Sequence, residues 1–217
     1  MASNSKVLRL FSTPVVLAEV DEAEALNAAL EAAILERKAQ DPGVVRSNVG
    51  GWHSKPDLLA WAGDAGRKVA RAVSELANAH TNDARGKPAN VNWRVEAWAN
   101  VSGAGHSNAQ HIHGGCYWSA VYYVRAEPST SGHLLLHDPR MPALRMHAPG
   151  LRLKDAGPEL IARVRPQAGQ IVLFPSWLAH SVEASDGESE RISIALNLSL
   201  PPIGRRRAVA AQVPTQS

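Results

Sequence analysis

Residues 111–124 read HIHGGCYWSAVYYV and join a histidine pair to the apolar, aromatic run that is typical of a β-strand. One residue separates His111 from His113, so an extended backbone places both imidazoles on the same side. Two imidazoles placed in this way can bind one metal ion without distortion of the backbone. We therefore interpret this stretch as a metal-binding segment that enters a strand.

A second stretch carries residues that complete such a site. His180 stands in LFPSWLAHSVEAS, and Arg191 and Ser193 stand in the strand-like ERISIALNLSL. A single His-x-His pair can arise by chance in a chain with nine histidines, but three histidines followed by an arginine on a strand are harder to explain in that way. In a double-sheet barrel both stretches can point into the mouth, where ligands bind. The combination predicts a mononuclear metal site beside an anion-binding arginine.

The residue types also limit which ligands such a site could hold. Imidazole suits iron, zinc, copper and nickel. Arginine is always charged and pairs with carboxylates in bidentate fashion. A 2-oxo acid fits both features, because it can chelate the metal and extend a second carboxylate to Arg191, with the Ser193 hydroxyl facing the same way.

Composition excludes several classes of protein. The 217 residues have a formal net charge of +3 with acids and bases interspersed, so no basic stripe for nucleic acid is formed. One cysteine, Cys116, rules out an intramolecular disulfide framework and suits a reducing compartment. Pro14 interrupts the apolar N-terminal stretch, so we expect neither a signal peptide nor a membrane span. We expect a cytoplasmic protein that acts on a small molecule; its oligomeric state, including a homo-oligomer, stays open.

The hydrophobic pattern changes from helical to strand-like near residue 82. Before it, we predict a strand pair within residues 7–20, a helix capped by Asp21 and stopped by 41–43, an irregular loop over 46–56, and a long helix from Pro56. After it, short β-branched and aromatic runs alternate with turns. The interval from Asp138 to Pro166 is weakly patterned, and we interpret it as a rim or lid of the site.

This order predicts an α+β fold in which a jelly-roll, cupin-like core carries N-terminal helices on the outer face of one sheet. We expect a single domain over 1–217, with mainly helical support at 1–81, the jelly-roll core at 82–200 and a flexible tail at 201–217. The tail contains the basic run 205–207, which we interpret as solvated.

The stretch from Trp98 to Asn197 resembles the catalytic core of the Fe(II)/2-oxoglutarate-dependent oxygenases, particularly the prolyl-hydroxylase-like branch with its double-stranded β-helix. The motifs LFSTPVV, RSNVGGWHS, HxH with SAVYYV, DPR and PQAGQIVLFPSWLAHSV resemble more closely a bacterial family of 2OG-Fe(II) oxygenases. The resemblance implies an enzyme that uses Fe(II), 2-oxoglutarate and O2. Residue by residue, it implies metal ligation by His111 and His180, a co-substrate arginine at Arg191 and a carboxylate-holding tyrosine at Tyr123.

The third metal ligand departs from the family pattern, because His113 stands where most of the superfamily has Asp. Two arrangements follow: three histidines, or two histidines with Asp138 of HDPR as the carboxylate. We favour three histidines, since His113 has the ligand spacing and Asp138 would need a favourable strand crossing.

Other residues carry weaker signals. Asn108 could orient a ligand next to the histidine pair, and residues 50–54, GGWHS, could fold over the barrel mouth and help to select substrate. Trp98, Trp118 and Trp177 are expected on strands, in the core rather than as substrate platforms.

Three functions are compatible with these residues. The first is an Fe(II)- and 2-oxoglutarate-dependent dioxygenase that hydroxylates a small molecule or an amino-acid-like substrate. The second is a three-histidine, cupin-type dioxygenase that binds its substrate directly, without 2-oxoglutarate. The third is a metal-containing jelly roll that binds a small acid or a partner protein and catalyses nothing.

Overall fold

Two antiparallel sheets and three helices make up the part of the chain that the computed structural model describes, residues 11–141 and 160–201. The helices are α1 (Ala23–Gln40), α2 (Leu58–Trp61) and α3 (Gly63–Ala79). The strands are β1 (Val16–Glu19), β2 (Asn48–Val49), β3 (Trp52–His53), β4 (Arg94–Ser102), β5 (Ser107–His111), β6 (Trp118–Arg125), β7 (Leu134–His137), β8 (Ile161–Val164), β9 (Gln170–Pro175), β10 (His180–Val182) and β11 (Arg191–Ser199).

The larger sheet has the strand order β1-β9-β6-β11-β4-β3, and the smaller sheet has the order β2-β5-β10-β7-β8. All three helices contact strands of the larger sheet, with α1 and α3 on β6 and α2 on β4. The predicted α+β jelly roll with helices on one sheet is therefore confirmed.

Strand alternation divides the larger sheet into two faces. The even-numbered residues Ile192, Ile194, Leu196 and Leu198 of β11 are buried in the core shared with the helices. The odd-numbered Arg191, Ser193 and Ala195 instead line a cavity between the sheets. Since successive side chains of a strand point to opposite faces, the apolar packing of β11 onto the helices determines that its polar residues face inward.

The first forty residues differ from the sequence prediction in two respects. The predicted strand pair within residues 7–20 is a single strand, β1, which pairs with β9, and residues 7–10 lie outside the described part. Asp21 does not cap α1: the helix begins at Ala23 and has no side-chain cap, and Glu22 has a φ of 53°. The Val20 N–H is bonded to the Gly169 carbonyl, so a left-handed residue is needed to turn the chain sharply from β1 into the helix. The predicted stop is confirmed, since α1 ends at Gln40.

Three further segments are more ordered or more divided than predicted. The loop over 46–56 contains β2 and β3, which belong to different sheets and are joined by Gly50 and Gly51. The long helix from Pro56 is split into α2 and α3 at Gly63, whose φ is 59°. The interval 138–166 contains β8, an edge strand, while residues 142–159 lie outside the described part. The role of the interval 138–166 as a rim or lid stays a prediction. The flexible tail with residues 205–207 also stays a prediction, because residues 202–217 lie outside the described part.

None of the three helices in the described ranges has the length and apolar character that crossing a bilayer requires.

Candidate metal centre

Three histidines converge between the two sheets. His111 ends β5 and lies directly opposite His180, which begins β10. His113 lies two residues beyond β5, where its backbone N–H donates to the Ser176 carbonyl over 3.0 Å. One ring nitrogen of each histidine lies within 4.8 Å of the other two, so the three can share one metal ion. The pair 111/113 therefore leaves a strand, β5, rather than entering β6 as the sequence suggested.

Backbone carbonyls orient two of the rings. Nδ1 of His111 lies 2.7 Å from the Ala109 carbonyl, and Nδ1 of His180 lies 2.9 Å from the Leu178 carbonyl. A carbonyl oxygen only accepts, so in each ring Nδ1 carries the proton and Nε2 offers its lone pair. This is the arrangement in which metal-binding histidines are usually held.

Burial keeps two imidazoles of the cluster neutral. Loss of solvent lowers the pKa of His113 to about 4 and that of His180 to about 3. Protonated imidazoles cannot bind a metal, and both rings stay unprotonated at neutral pH. His113 and His180 are thus neutral nitrogen donors.

Asp138 is not brought to this cluster. Its carboxylate accepts two hydrogen bonds from the Arg140 guanidinium, at 3.0 and 2.8 Å, and a third from the Arg140 backbone N–H. It lines a different cavity, together with His137 and Trp177. The geometry therefore favours the three-histidine arrangement over the one that uses Asp138.

Arg191 lies in the same cavity as the histidines and is almost fully buried, with 3% of its surface exposed. Its Nη1 donates to the backbone carbonyl of Ser131, and in the described ranges no acidic side chain forms an ion pair with it. Burial lowers the pKa of Arg191, because loss of solvent disfavours the charged guanidinium. A buried cation of this kind is costly unless an anion joins it, so the cavity is suited to a negatively charged ligand.

Two hydroxyl groups accompany the arginine. Ser193 of β11 lies directly opposite Tyr123 of β6, and both side chains line the cavity. Burial raises the pKa of Tyr123 to about 12, so its phenol stays protonated and able to donate. Arg191, Ser193 and Tyr123 are thus donors in the same cavity as the histidines.

Asn108 belongs to a short polar chain beside His111. Its Nδ2 donates to Ser47 Oγ over 3.3 Å, and that hydroxyl lies 3.5 Å from His111 Nε2. Asn108 also lines the cavity, so the structure brings it next to the histidines as the sequence suggested.

Two cavities lie beside the histidines, and we call them the inner and the outer chamber. The inner chamber, about 60 Å³, is lined by the three histidines, Tyr123, Arg191 and Ser193, among others. The outer chamber, about 350 Å³, is lined by Val44, Arg46, Ser47, His53, Pro56, Trp98, His111 and His113. Four residues line both chambers: Ser47, Trp98, His111 and His113. A ligand in either chamber can therefore reach the histidine cluster.

Sequence reasoning missed Trp98 and Asn100 as cavity residues. Both are inward-facing residues of β4, whose alternate residues Ala97, Ala99 and Val101 pack in the helix-side core. The alternation along β4 was the sequence signal that could have identified both residues as facing the cavity. Trp118 is a core residue as expected, whereas Trp177 lies on a turn and is 53% exposed.

The sequence suggested that residues 50–54 fold over the barrel mouth, and one of them, His53, lines the outer chamber. Trp52 is buried, and its indole N–H donates to the Asp41 carbonyl over 2.8 Å, so it does not cover the cavity. His53 lines the outer chamber and stacks on Trp98, with ring centroids 5.6 Å apart. Pairing of β3 with β4 holds this histidine in the chamber wall.

Comparison with known protein families gives one match within this chain. Residues 96–197 match a family described as "Putative 2OG-Fe(II) oxygenase". No sequence among the curated proteins compared matches the chain.

Several solved structures share the fold. A prolyl-4-hydroxylase from Pseudomonas putida is 18% identical with a TM-score of 0.59, over 88% of this chain and 94% of that one. A prolyl hydroxylase from Trichoplax adhaerens, in complex with a hypoxia inducible factor peptide fragment, is 13% identical with a TM-score of 0.60, over 85% and 83%. HygX from Streptomyces hygroscopicus, with nickel and 2-oxoglutarate bound, is 16% identical with a TM-score of 0.54, over 87% and 83%.

The matched segment, 96–197, begins in β4 and ends in β11, and so includes all three histidines, Tyr123 and Arg191. The segment that carries the candidate site is thus similar to the 2OG-Fe(II) oxygenases, and the chain has the fold of solved prolyl hydroxylases.

Proposed function

We propose that the protein is an Fe(II)- and 2-oxoglutarate-dependent dioxygenase that hydroxylates a small molecule or an amino-acid-like substrate. One observation carries the proposal: a cluster of three histidines shares its cavity with a buried arginine that forms no ion pair with a described acid. A metal site and an anion site in one enclosed space match a ligand that is both a chelator and a dicarboxylate.

His111, His113 and His180 would hold the iron. They are borderline nitrogen donors that suit Fe(II), and three of them leave coordination positions open. When bound, Fe(II), 2-oxoglutarate and O2 together supply the oxidising chemistry, in which 2-oxoglutarate becomes succinate and CO2 and one oxygen atom enters a C–H bond of the second substrate.

Arg191 would bind the carboxylate of 2-oxoglutarate that lies far from the metal. Its planar fork can donate two parallel hydrogen bonds to that group, with Ser193 and Tyr123 as additional donors. Low exposure of all three side chains excludes competing water from the pair. Asn108 would orient Ser47, whose hydroxyl lies beside the His111 nitrogen that would bind the metal.

The first test asks whether conversion of 2-oxoglutarate to succinate depends on Fe(II). We expect purified protein freed of metal to form no succinate, and added Fe(II) to restore succinate formation from 2-oxoglutarate with uptake of O2. Zn(II) serves as the matched control, because it binds imidazoles but has no redox chemistry. Oxygen uptake that needs Fe(II) but does not depend on 2-oxoglutarate would support the second candidate function. Absence of both oxygen uptake and succinate formation would indicate a binding protein.

A second candidate is a three-histidine dioxygenase that binds its substrate directly, without 2-oxoglutarate. The observation that favours it is the ligand set itself, since two histidines and one carboxylate are the usual ligands of non-haem Fe(II) oxygenases. In that enzyme Arg191 would hold a carboxylate of the substrate.

Replacing His113 with Asp tests whether the third metal ligand must be an imidazole. The change creates the two-histidine, one-carboxylate set, so a 2-oxoglutarate-dependent enzyme should keep iron-dependent succinate formation within about tenfold of wild type. His113→Ala is the matched control and should lose most of it. The measurement is succinate formed per minute at saturating Fe(II). If the Asp variant is as inactive as the Ala variant, a dedicated three-histidine centre is the better description.

A further inference from the structure

We infer that the outer chamber is the site of the primary substrate, and that it selects a carboxylate-bearing molecule with a flat or apolar body. The inference rests on the proposed function and narrows its substrate class. It depends on the position of the chamber, on the sign of its charge and on the surfaces of its walls.

The position follows from the two chambers. The inner chamber contains Arg191, Ser193 and Tyr123, which are the groups suited to the co-substrate. The outer chamber has none of these residues but shares His111 and His113 with it. A second molecule in the outer chamber would therefore lie against the metal ligands while the inner chamber is occupied.

The charge of the outer chamber is positive. Arg46 is the one side chain of permanent charge in its lining, and no acid lines it. Arg46 is exposed, and within the described ranges its guanidinium has neither an ion pair nor a hydrogen bond to a side chain or carbonyl. An unpaired cation at the mouth of a concave site favours an anionic ligand and disfavours a cationic one.

The walls suit a flat or apolar body. Trp98 is half-buried, and its ring lies between His53, which is nearly parallel to it at 14°, and His113. Nδ1 of His53 donates to the Ser54 carbonyl over 2.6 Å, which fixes the ring and leaves Nε2 as an acceptor. Val44 and Pro56 provide the remaining apolar surface. Such a wall can bury an aromatic or aliphatic body while Arg46 pairs with its carboxylate.

A matched pair of probes tests the charge preference. Indole-3-acetate and indole-3-acetamide have the same flat body and differ in charge. We expect calorimetric titration of the protein loaded with Mn(II) and saturating 2-oxoglutarate to show the acid binding about tenfold more tightly than the amide. Arg46→Gln should remove that difference, and Trp98→Ala should weaken both probes. Arg71→Gln is the control, because it removes one exposed arginine that lines neither chamber.

Three results would overturn the inference: neither probe binds, both bind equally to wild type, or Arg46→Gln leaves the preference unchanged. Displacement of 2-oxoglutarate by the acid would also overturn it, since the acid would then occupy the inner chamber. Failure of the proposed function is distinguished by a separate measurement, succinate formation without any second substrate. Its absence from both wild type and Arg71→Gln would count against the proposed function, whereas loss of the probe preference alone counts against the inference.

Discussion

Replacement of Arg191 with Met should raise the KM for 2-oxoglutarate at least about thirtyfold and leave the unliganded protein as stable as wild type. Loss of one partner from a buried charge pair costs about 2 to 5 kcal/mol, and each 1.4 kcal/mol is about a factor of ten. The unliganded protein loses a buried cation that no described acid neutralises, and Met keeps most of the apolar volume. Binding and stability should therefore respond in different ways.

Thermal unfolding with and without ligand measures both effects. Wild type should gain about 2.7 kcal/mol of stability at a 2-oxoglutarate concentration of about 100 times its own Kd, and the Met variant should gain less than about 1 kcal/mol at that concentration. Initial rates of succinate formation give the KM.

Arg125→Met is the matched control for that experiment. Arg125 lies on the neighbouring strand β6 and pairs with Glu31 and Glu190, outside the cavity. Its ion pairs are about one-third exposed, so its loss should cost at most about 1 kcal/mol and leave the KM unchanged. An unchanged KM in Arg191→Met would remove the co-substrate role of that residue.

The ligand positions could be predicted because they depend on local periodicity. His111 and His113 needed only an extended backbone, and Arg191 and Ser193 needed only one strand with alternating faces. The apolar even-numbered residues of ERISIALNLSL determine which face of β11 is buried under the helices, and the odd-numbered residues follow from that. Most of the functional residues that line the inner chamber can therefore be predicted from the alternation within single strands.

Features that depend on how strands cross could not be predicted in this way. Asp138 follows β7 closely in sequence, yet its carboxylate turns to Arg140 and to a separate cavity. The two-residue strands β2 and β3 are too short to show a period, so their segment resembled a loop. Their placement in different sheets brings Arg46 and His53 to the outer chamber. Substrate selection therefore depends on the residues that sequence patterns describe least well.

His180 is the one cluster member contributed by β10, and it is 4% exposed. We expect His180→Ala to lower the affinity for Fe(II) by more than about a hundredfold and to abolish succinate formation. Loss of a hydrogen-bond partner of a ligand already costs about 10- to 100-fold, and loss of the ligand itself should cost more. Competition with a chromophoric chelator, with Co(II) as a stable substitute for Fe(II), measures the affinity.

The neighbouring strand offers a control with the same substitution. His137 of β7 is also buried, but its Nε2 lies 2.9 Å from Ser181 Oγ and it lines the cavity that contains Asp138. His137→Ala therefore removes a buried imidazole from the same sheet without touching the cluster. It should lose stability, because the Ser181 hydroxyl loses its partner, but it should keep Fe(II) affinity and succinate formation. If both variants bind metal as wild type does, the cation does not lie between β5 and β10; if both lose it, the effect of His180→Ala is structural rather than a loss of coordination.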